Sequence, residues 1–184
     1  MLRDRLVFHH VDQERWEDLV RLFEARGGPK RCWCMVWRSM PKGASRADSQ
    51  AKRGALESRV RDGVPIGILG YLDGEPVAWC SIAPRSTYRD LGGLEDPAED
   101  PATVWSLVCF FVPRRFRGQG VTARIIRAAV DHARTRGATV VEAYPVMPDS
   151  PSYRFMGPVS TFRAIGFREL GTAGTRRHVM RLWL

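Results

Sequence analysis

Lysine is almost missing from this chain: three residues stand against 26 arginines. The formal net charge of +9 is therefore arginine charge, and it is spread along the sequence with no dense basic tail. Nucleic-acid binders gather such charge on one element, so a solvated arginine-rich surface is the simpler reading and no nucleic-acid partner is expected. Cysteine is scarce too. Cys32, Cys34, Cys80 and Cys109 are too few and too irregular for a disulfide framework in 184 residues, which excludes the small stapled secreted folds. No window reaches eighteen apolar residues, and the charged start Met1-Leu-Arg-Asp-Arg has no apolar core behind it, so no membrane partner is expected and a reducing cytoplasm is the simplest home. Internal repeats, low-complexity tracts and interdomain linkers are absent as well. One domain, residues 1–184, is the expected organisation at this length.

What is present centres on Val112 to Gly137. An apolar run, Thr103 to Phe111, leads through Pro113-Arg114-Arg115-Phe116-Arg117-Gly118-Gln119-Gly120 into a helical pattern from Val121 to Arg136. A strand, a glycine turn and a helix in that order leave unpaired backbone N–H groups at the helix start, with the positive end of the helix dipole behind them. That is a seat for an anion. Gly118 and Gly120 permit positive φ and close approach of a ligand to the backbone, and Arg114, Arg115 and Arg117 surround it with charge. A phosphate is the expected guest. No lysine occupies the turn, which excludes the P-loop; Gly118-x-Gly120-x-x-Ala123 meets the relaxed dinucleotide fingerprint, but late in the chain and without a well-placed acidic partner.

Elsewhere the pattern predicts a first strand at Leu6–His10 and a helix capped by Asp12 with Trp16, Leu19, Val20, Leu22 and Phe23 inward. A polar helix follows over Ser45–Arg61, then two strands, Ile66–Leu72 and Pro76–Ile82, around the hairpin turn Asp73-Gly74. Residues 83–102 are an aperiodic loop with five carboxylates. Val104–Val112 reads as a central strand and Thr139–Val146 as its parallel partner across the helix; Val159–Ile165 is a short helix stopped by Gly166, and Phe167–Leu170 and His178–Leu184 are two closing strands. Arg31-Cys32-Trp33-Cys34-Met35-Val36-Trp37-Arg38 is the most unusual composition. A closed zinc site needs four ligands, and Cys80 and Cys109 sit in apolar runs, so no metal is expected; core packing and a substrate wall are the readings left.

Arg117-Gly118-Gln119-Gly120-Val121-Thr122 resembles the pyrophosphate loop of the GNAT superfamily of N-acetyltransferases, Gln/Arg-x-x-Gly-x-Gly/Ala, with Thr122 at the last position. Arg115-x-x-Gly118-x-Gly120 fits the same pattern, but a helix starting near Val121 favours the first frame. Phe162-Arg163-Ala164-Ile165-Gly166-Phe167 matches that family's closing motif, and the element order is similar over almost the whole chain. The Cys-x-Cys-Met-x-Trp-Arg stretch looks like the mark of a branch. The resemblance implies an α/β (α+β) fold with a mixed, mostly antiparallel sheet and a parallel strand-helix-strand unit at the CoA site. It implies acetyl-CoA as donor, its pantetheine arm along Phe110, Phe111 and Val112 and its pyrophosphate on Arg117, Gly118, Gln119, Gly120, Val121 and Thr122. It implies direct attack of an amine on the thioester in a ternary complex.

Three family positions differ here. The fourth strand carries no carboxylate, Phe162 stands where a tyrosine often protonates the leaving thiolate, and Phe155 stands where an Asn is usual. The chemistry needs substitutes: Glu142 as a base through water, and Tyr144 or Tyr153 as the acid. Cys109 as an acylated nucleophile lacks an activating neighbour in sequence. The expected acceptor is a small-molecule or peptide amine, held against Trp33, Cys34, Trp37 and Arg38, with Arg38 on an acceptor carboxylate; a homodimer stays open. The missing acid and base keep a non-catalytic acyl-CoA-binding module as the alternative.

Overall fold

The computed structural model describes residues 5–95 and 99–184; Met1–Asp4 of the charged start and Asp96 of the acidic loop lie outside them. In chain order the elements are β1 (Leu6–His10), α1 (Trp16–Glu24), α2 (Ser49–Arg61), β2 (Ile68–Leu72), β3 (Glu75–Pro84), β4 (Val104–Phe111), α3 (Val121–Thr135), β5 (Val140–Ala143), α4 (Val159–Ile165), β6 (Arg168–Ala173) and β7 (Arg177–Trp183). The strands make one sheet in the order β1-β2-β3-β4-β5-β7-β6. Every neighbouring pair is antiparallel except β4 and β5, which run parallel on either side of the α3 crossover. This is the mixed sheet expected from the sequence. Among the described residues, no helix is long and apolar enough to cross a membrane.

Two apolar layers cover the sheet. On one face, Trp16, Leu19 and Phe23 of α1, Leu56 of α2 and Trp33 and Met35 of the connecting segment pack on Leu69, Trp79 and Val108. On the other, Ile125, Ile126 and Ala129 of α3 and Phe162 of α4 pack on Ile68, Ile82, Leu107 and Val141. Burying each large apolar side chain contributes roughly 1.5–3 kcal/mol, which makes these layers the main source of cohesion.

Local chemistry sets most element boundaries. The β2–β3 hairpin turns at Asp73 (φ 52°) and Gly74 (φ 81°), the pair of positive φ values that a two-residue turn matched to strand twist requires. The helices start later than the sequence pattern suggests. Asp12 Oδ1 accepts from the Arg15 backbone N–H at 3.0 Å and its other oxygen pairs with the Arg15 guanidinium, so Asp12 closes a turn and α1 begins at Trp16. Asp48, rather than Ser45, caps α2 by accepting from Gln50 N and Ala51 N at 2.8 and 3.2 Å. At the far edge, β6 runs through Gly171 to Ala173, past the expected end at Leu170: Leu170 is bulged out of register, and the chain reverses after Ala173.

The departure that matters for function lies in β4 and β5. Ser81 pairs with Cys109 but Ile82 with Leu107, so Val108 is an extra, bulged residue in β4. β5 keeps register with β4 only from Val140 to Ala143, ending three residues before the expected Val146. Its continuation leaves for β7, where Pro145 O accepts from His178 N at 2.9 Å, and Val146 bridges to Pro158 and Arg177. The C-terminal half of β4 is therefore bordered on that side by the 144–158 segment instead of by a strand. The sheet splits there.

Candidate active site

A cavity of about 750 Å³ fills the split. Its walls are Val108, Cys109, Phe110, Phe111 and Val112 of β4 and its end, Arg117 and Thr122 of the glycine turn, Arg154 to Pro158 beyond β5, and Cys32, Cys34, Val36 and Trp37 of the segment between α1 and α2. One space thus joins the turn before α3 to the Cys-x-Cys segment on the opposite face of the sheet.

The turn is built as the sequence suggests. Pro113 ends β4, Arg114–Phe116 form one 3-10 turn, and Gly118 (φ 73°) and Gly120 (φ 75°) both take the left-handed conformation. Gly120 is the N-cap of α3 and no side chain caps the helix, so its first N–H groups are left for another acceptor. A β-carbon at Gly118 or Gly120 would meet no atom within 4 Å, so glycine is needed there for φ and the space above is open. Arg117 Nε donates to Val112 O at 2.8 Å, which ties the turn to the end of β4. Of the residues expected to hold the donor, Phe110, Phe111, Val112, Arg117 and Thr122 line the cavity. Gly118, Gln119 and Gly120 are exposed beside it, whereas the Val121 side chain is 2% exposed and packs in the α3 layer, which leaves only its backbone for a ligand.

The Cys-x-Cys segment divides its expected roles. Cys34 and Trp37 face the cavity; Trp33 is core, against Phe23 and Trp16 at ring separations of 5.4 and 6.1 Å. Trp33 (φ 46°) and Cys34 (φ 50°) are consecutive non-glycine residues in the left-handed region, a conformation of order 1–3 kcal/mol each that the surrounding packing must hold. Trp79 Nε1 donates to Cys34 Sγ at 3.0 Å, and Cys109 Sγ lies 3.0 Å from the same sulfur. Burial, then the Cys109 thiol, pushes the Cys34 thiol well above the ordinary range, so Cys34 is a neutral wall of the cavity.

Arg38 does not reach the cavity. It is fully buried, one Nη donating to Ile66 O (2.8 Å), Ser81 Oγ (3.0 Å) and Tyr88 Oη (3.0 Å), while Nε and the other Nη have no hydrogen-bond partner among the described residues. Its guanidinium lies 4.3 Å from the Tyr88 ring centre. Arg38 staples the 29–40 segment to β3; the expected contact with an acceptor carboxylate has no route to it.

Glu142 and Tyr144 are also away from the cavity walls, on the α1 and α2 face of the sheet. Glu142, wholly buried, accepts from Arg181 Nε at 2.6 Å, faces Arg85 at 3.5 Å and takes a short hydrogen bond from the Tyr144 hydroxyl. Arg181 also pairs with Glu99 at 2.9 Å. The Leu94 carbonyl accepts from both Arg85 (2.7 Å) and Arg181 (2.9 Å), so the acidic loop is strapped over this network. Gly93 fits so closely that a β-carbon there would strike Glu142 Oε1 and the Tyr144 hydroxyl. Burial, then the Glu142 charge, pushes the Tyr144 phenol well up, which keeps its proton on. Tyr153 is placed differently. It is half-buried, at positive φ, with its ring 6.1 Å from Trp37 and 6.2 Å from Phe155, two residues of the cavity wall.

Sequence reasoning expected the hairpin end at Ser81 to Arg85 to border the acceptor but missed Arg177 and Arg181. Arg181 is one of several arginines near the C-terminus, and only the β5–β7 register, Glu142 opposite Arg181, singles it out.

The model of the Acetyltransferase (GNAT) family matches residues 16–157. The chain belongs to this family. GNAT proteins are acyl-transfer enzymes, and solved structures share the present architecture nearly end to end. Ribosomal-protein-alanine N-acetyltransferase from Brucella melitensis is 19% identical, with a TM-score of 0.58 over 97% of this chain and 99% of that one. YncA from Salmonella typhimurium, a putative acetyltransferase solved with acetyl-CoA, is 14% identical with a TM-score of 0.59 over 98% and 94%. The aminoglycoside acetyltransferase AAC(6')-Ib, in complex with paromomycin and acetyl-CoA, is 17% identical with a TM-score of 0.62 over 98% and 94%. At these identities the likeness speaks to the fold. No curated protein sequence matches the chain significantly.

Proposed function

We propose that this GNAT protein is an acetyl-CoA-dependent N-acetyltransferase for a small-molecule or peptide amine, acting as one domain over residues 1–184. The observation that carries the reading is the single cavity bordered at one side by Arg117 and Thr122 of the uncapped turn and at the other by Cys34 and Trp37. A donor and an acceptor can meet in such a space without a covalent enzyme intermediate. The Cys32–Arg38 stretch, which supplies the acceptor wall, marks a branch of the family in this reading.

Acetyl-CoA supplies the acetyl thioester. Backbone N–H groups of Val121 and Thr122, with Arg117, neutralise the pyrophosphate. The open edge of β4 at Phe110–Val112 pairs with the pantetheine amides. A neutral acceptor amine then forms the new C–N bond as the C–S bond breaks, and one proton must leave nitrogen while one reaches sulfur. Tyr153 packs against Trp37 and Phe155 of the cavity wall, so we assign it the proton to sulfur. Glu142 and Tyr144, held to each other under Gly93 and away from the cavity walls, are assigned no proton transfer.

The test is calorimetric and kinetic. Acetyl-CoA should bind, and free thiol should appear when amines are added. Tight binding with no thiol release on any amine would instead favour the acyl-CoA-binding module.

A further inference from the structure

Three arginines crowd the acceptor end of the site, and their charges are answered unequally. Arg181 lies between Glu142 and Glu99, and Arg85 faces Glu142. Arg177 has no ion pair among the described residues. Its guanidinium carbon sits 4.4 Å from the centre of the Trp37 ring, 5.5 Å from that of Tyr153 and 5.9 Å from that of Tyr144, and one Nη donates to Leu91 O at 2.7 Å. The aromatic faces and one carbonyl hold the cation in place and Asp90 acts on it only at a distance, while among the described residues the remaining guanidinium N–H groups have no side-chain acceptor. It is half-buried, so its charge is incompletely hydrated and gains from an anion.

Arg177 meets the cavity through Trp37, whose ring it covers and which belongs to the wall, and the cavity supplies the second observation. Its lining contains no Asp or Glu; its charged residues are Arg117 and Arg154, and the rest is aromatic, aliphatic, sulfur or small. The nearest buried carboxylate, Glu142, is already matched by two arginines and covered by Gly93 and Leu94. A pocket for a polycation needs free carboxylates to replace the water stripped from each ammonium, and this one offers none. The protein's net positive charge adds a field that concentrates anions and repels cations.

We infer that the acceptor is an amine with an aromatic or apolar body and a carboxylate, the body against Trp37 and the carboxylate on Arg177, and that polycationic amines are excluded. This rests on the acyltransferase reading and goes beyond it by giving the acceptor's chemical class. Arg177, instead of the buried Arg38, is then the carboxylate-reading residue.

Phenylalanine and phenylalaninamide share the ring and the amine and differ at the carboxylate, which makes them the decisive pair. Titrated into the CoA-loaded protein, phenylalanine should bind at least tenfold more tightly than the amide, and paromomycin should be neither bound nor acetylated. Arg177→Gln should erase that preference with acetyl-CoA affinity unchanged, and Arg177→Lys should restore part of it; equal thermal melting of the three proteins guards against a folding effect. Equal affinity for the two ligands, no binding of either, or turnover of paromomycin would overturn the inference. Paromomycin turnover would leave the acyltransferase reading standing, whereas failure of acetyl-CoA itself to bind would remove both.

Discussion

The two ends of the cavity are made in different ways. The donor end is a single stretch, Pro113 to Thr122, whose shape comes from two glycines at positive φ and a helix start without a side-chain cap. Its functional groups are mostly backbone, and the space over both glycines is open. The acceptor end draws on residues 34 to 37, 85 to 94, 142 to 153 and 177 to 181, held by buried side chains from distant parts of the chain. One end is an exposed backbone cradle; the other is a buried polar cluster in which Glu142, Glu99, Arg85 and Arg181 answer one another while Arg177 stands outside the ion pairs. The contrast teaches that the donor grip should tolerate changes in the core, while the acceptor wall should fail with any single broken pair.

The largest effect expected from this contrast is on stability. Arg181→Leu leaves Glu99 without its ion pair and Glu142 with only the longer contact to Arg85, and loss of one partner of a buried pair costs about 3–5 kcal/mol, so denaturant unfolding should show a loss approaching that order. A loss within that of a surface substitution would mean the acceptor wall is not the buried cluster described. Next comes the donor turn. Gly120→Glu places a carboxylate and a side chain where the pyrophosphate would sit, and acetyl-CoA affinity should fall about 100-fold or more, about 2.7 kcal/mol, with the protein still folded by circular dichroism. Unchanged affinity would sink the donor assignment.

The tyrosines sharpen the comparison at smaller scale. Tyr153→Phe should lower kcat about 10- to 100-fold with acetyl-CoA affinity preserved, in the range of general acid catalysis. Tyr144→Phe should act chiefly on stability, because its hydroxyl is held by Glu142 under Gly93. The reverse pattern in steady-state kinetics would transfer the acid role to Tyr144.

The smallest effect lies outside both ends and serves as a control. Burial, then Arg136 and His10, holds His132 down at about 4, below its ordinary value near 6.5. The unfolded chain binds the extra proton first, so His132 contributes stability above pH 6.5 that is lost as pH falls toward 4, about 1–2 kcal/mol after solvent screening. The melting temperature of His132→Gln should fall less steeply than wild type over that interval. An identical slope would remove His132 as a source of acid sensitivity.

The same contrast explains what could be read from the sequence. The Asp73-Gly74 hairpin, the turn before α3 and the Gly166 stop were legible because each depends on residues adjacent in the chain. The helix expected from Ser45 begins at Ser49, and only the backbone geometry shows that Asp48 is its cap. Arg38 and Glu142 were visible as residue types suited to chemistry, yet their partners lie 28 to 50 and 39 positions away, and Tyr144 is tied to Glu142. Strand register and burial decide whether such a group faces a ligand or another side chain. Neither is written locally.

The bulge at Val108 shows how a cavity can be specified by counting. Val108 and Cys109 both belong to the layer under α1, after which Phe110 turns to the α3 layer and Phe111 back again. One added residue therefore reverses the inside–outside phase of the rest of β4. Deleting Val108 would leave the composition almost untouched, yet it should exchange the faces of Cys109, Phe110 and Phe111 and carry the Cys109 sulfur away from Cys34. The wall of the cavity is set by a phase slip of one residue in a strand.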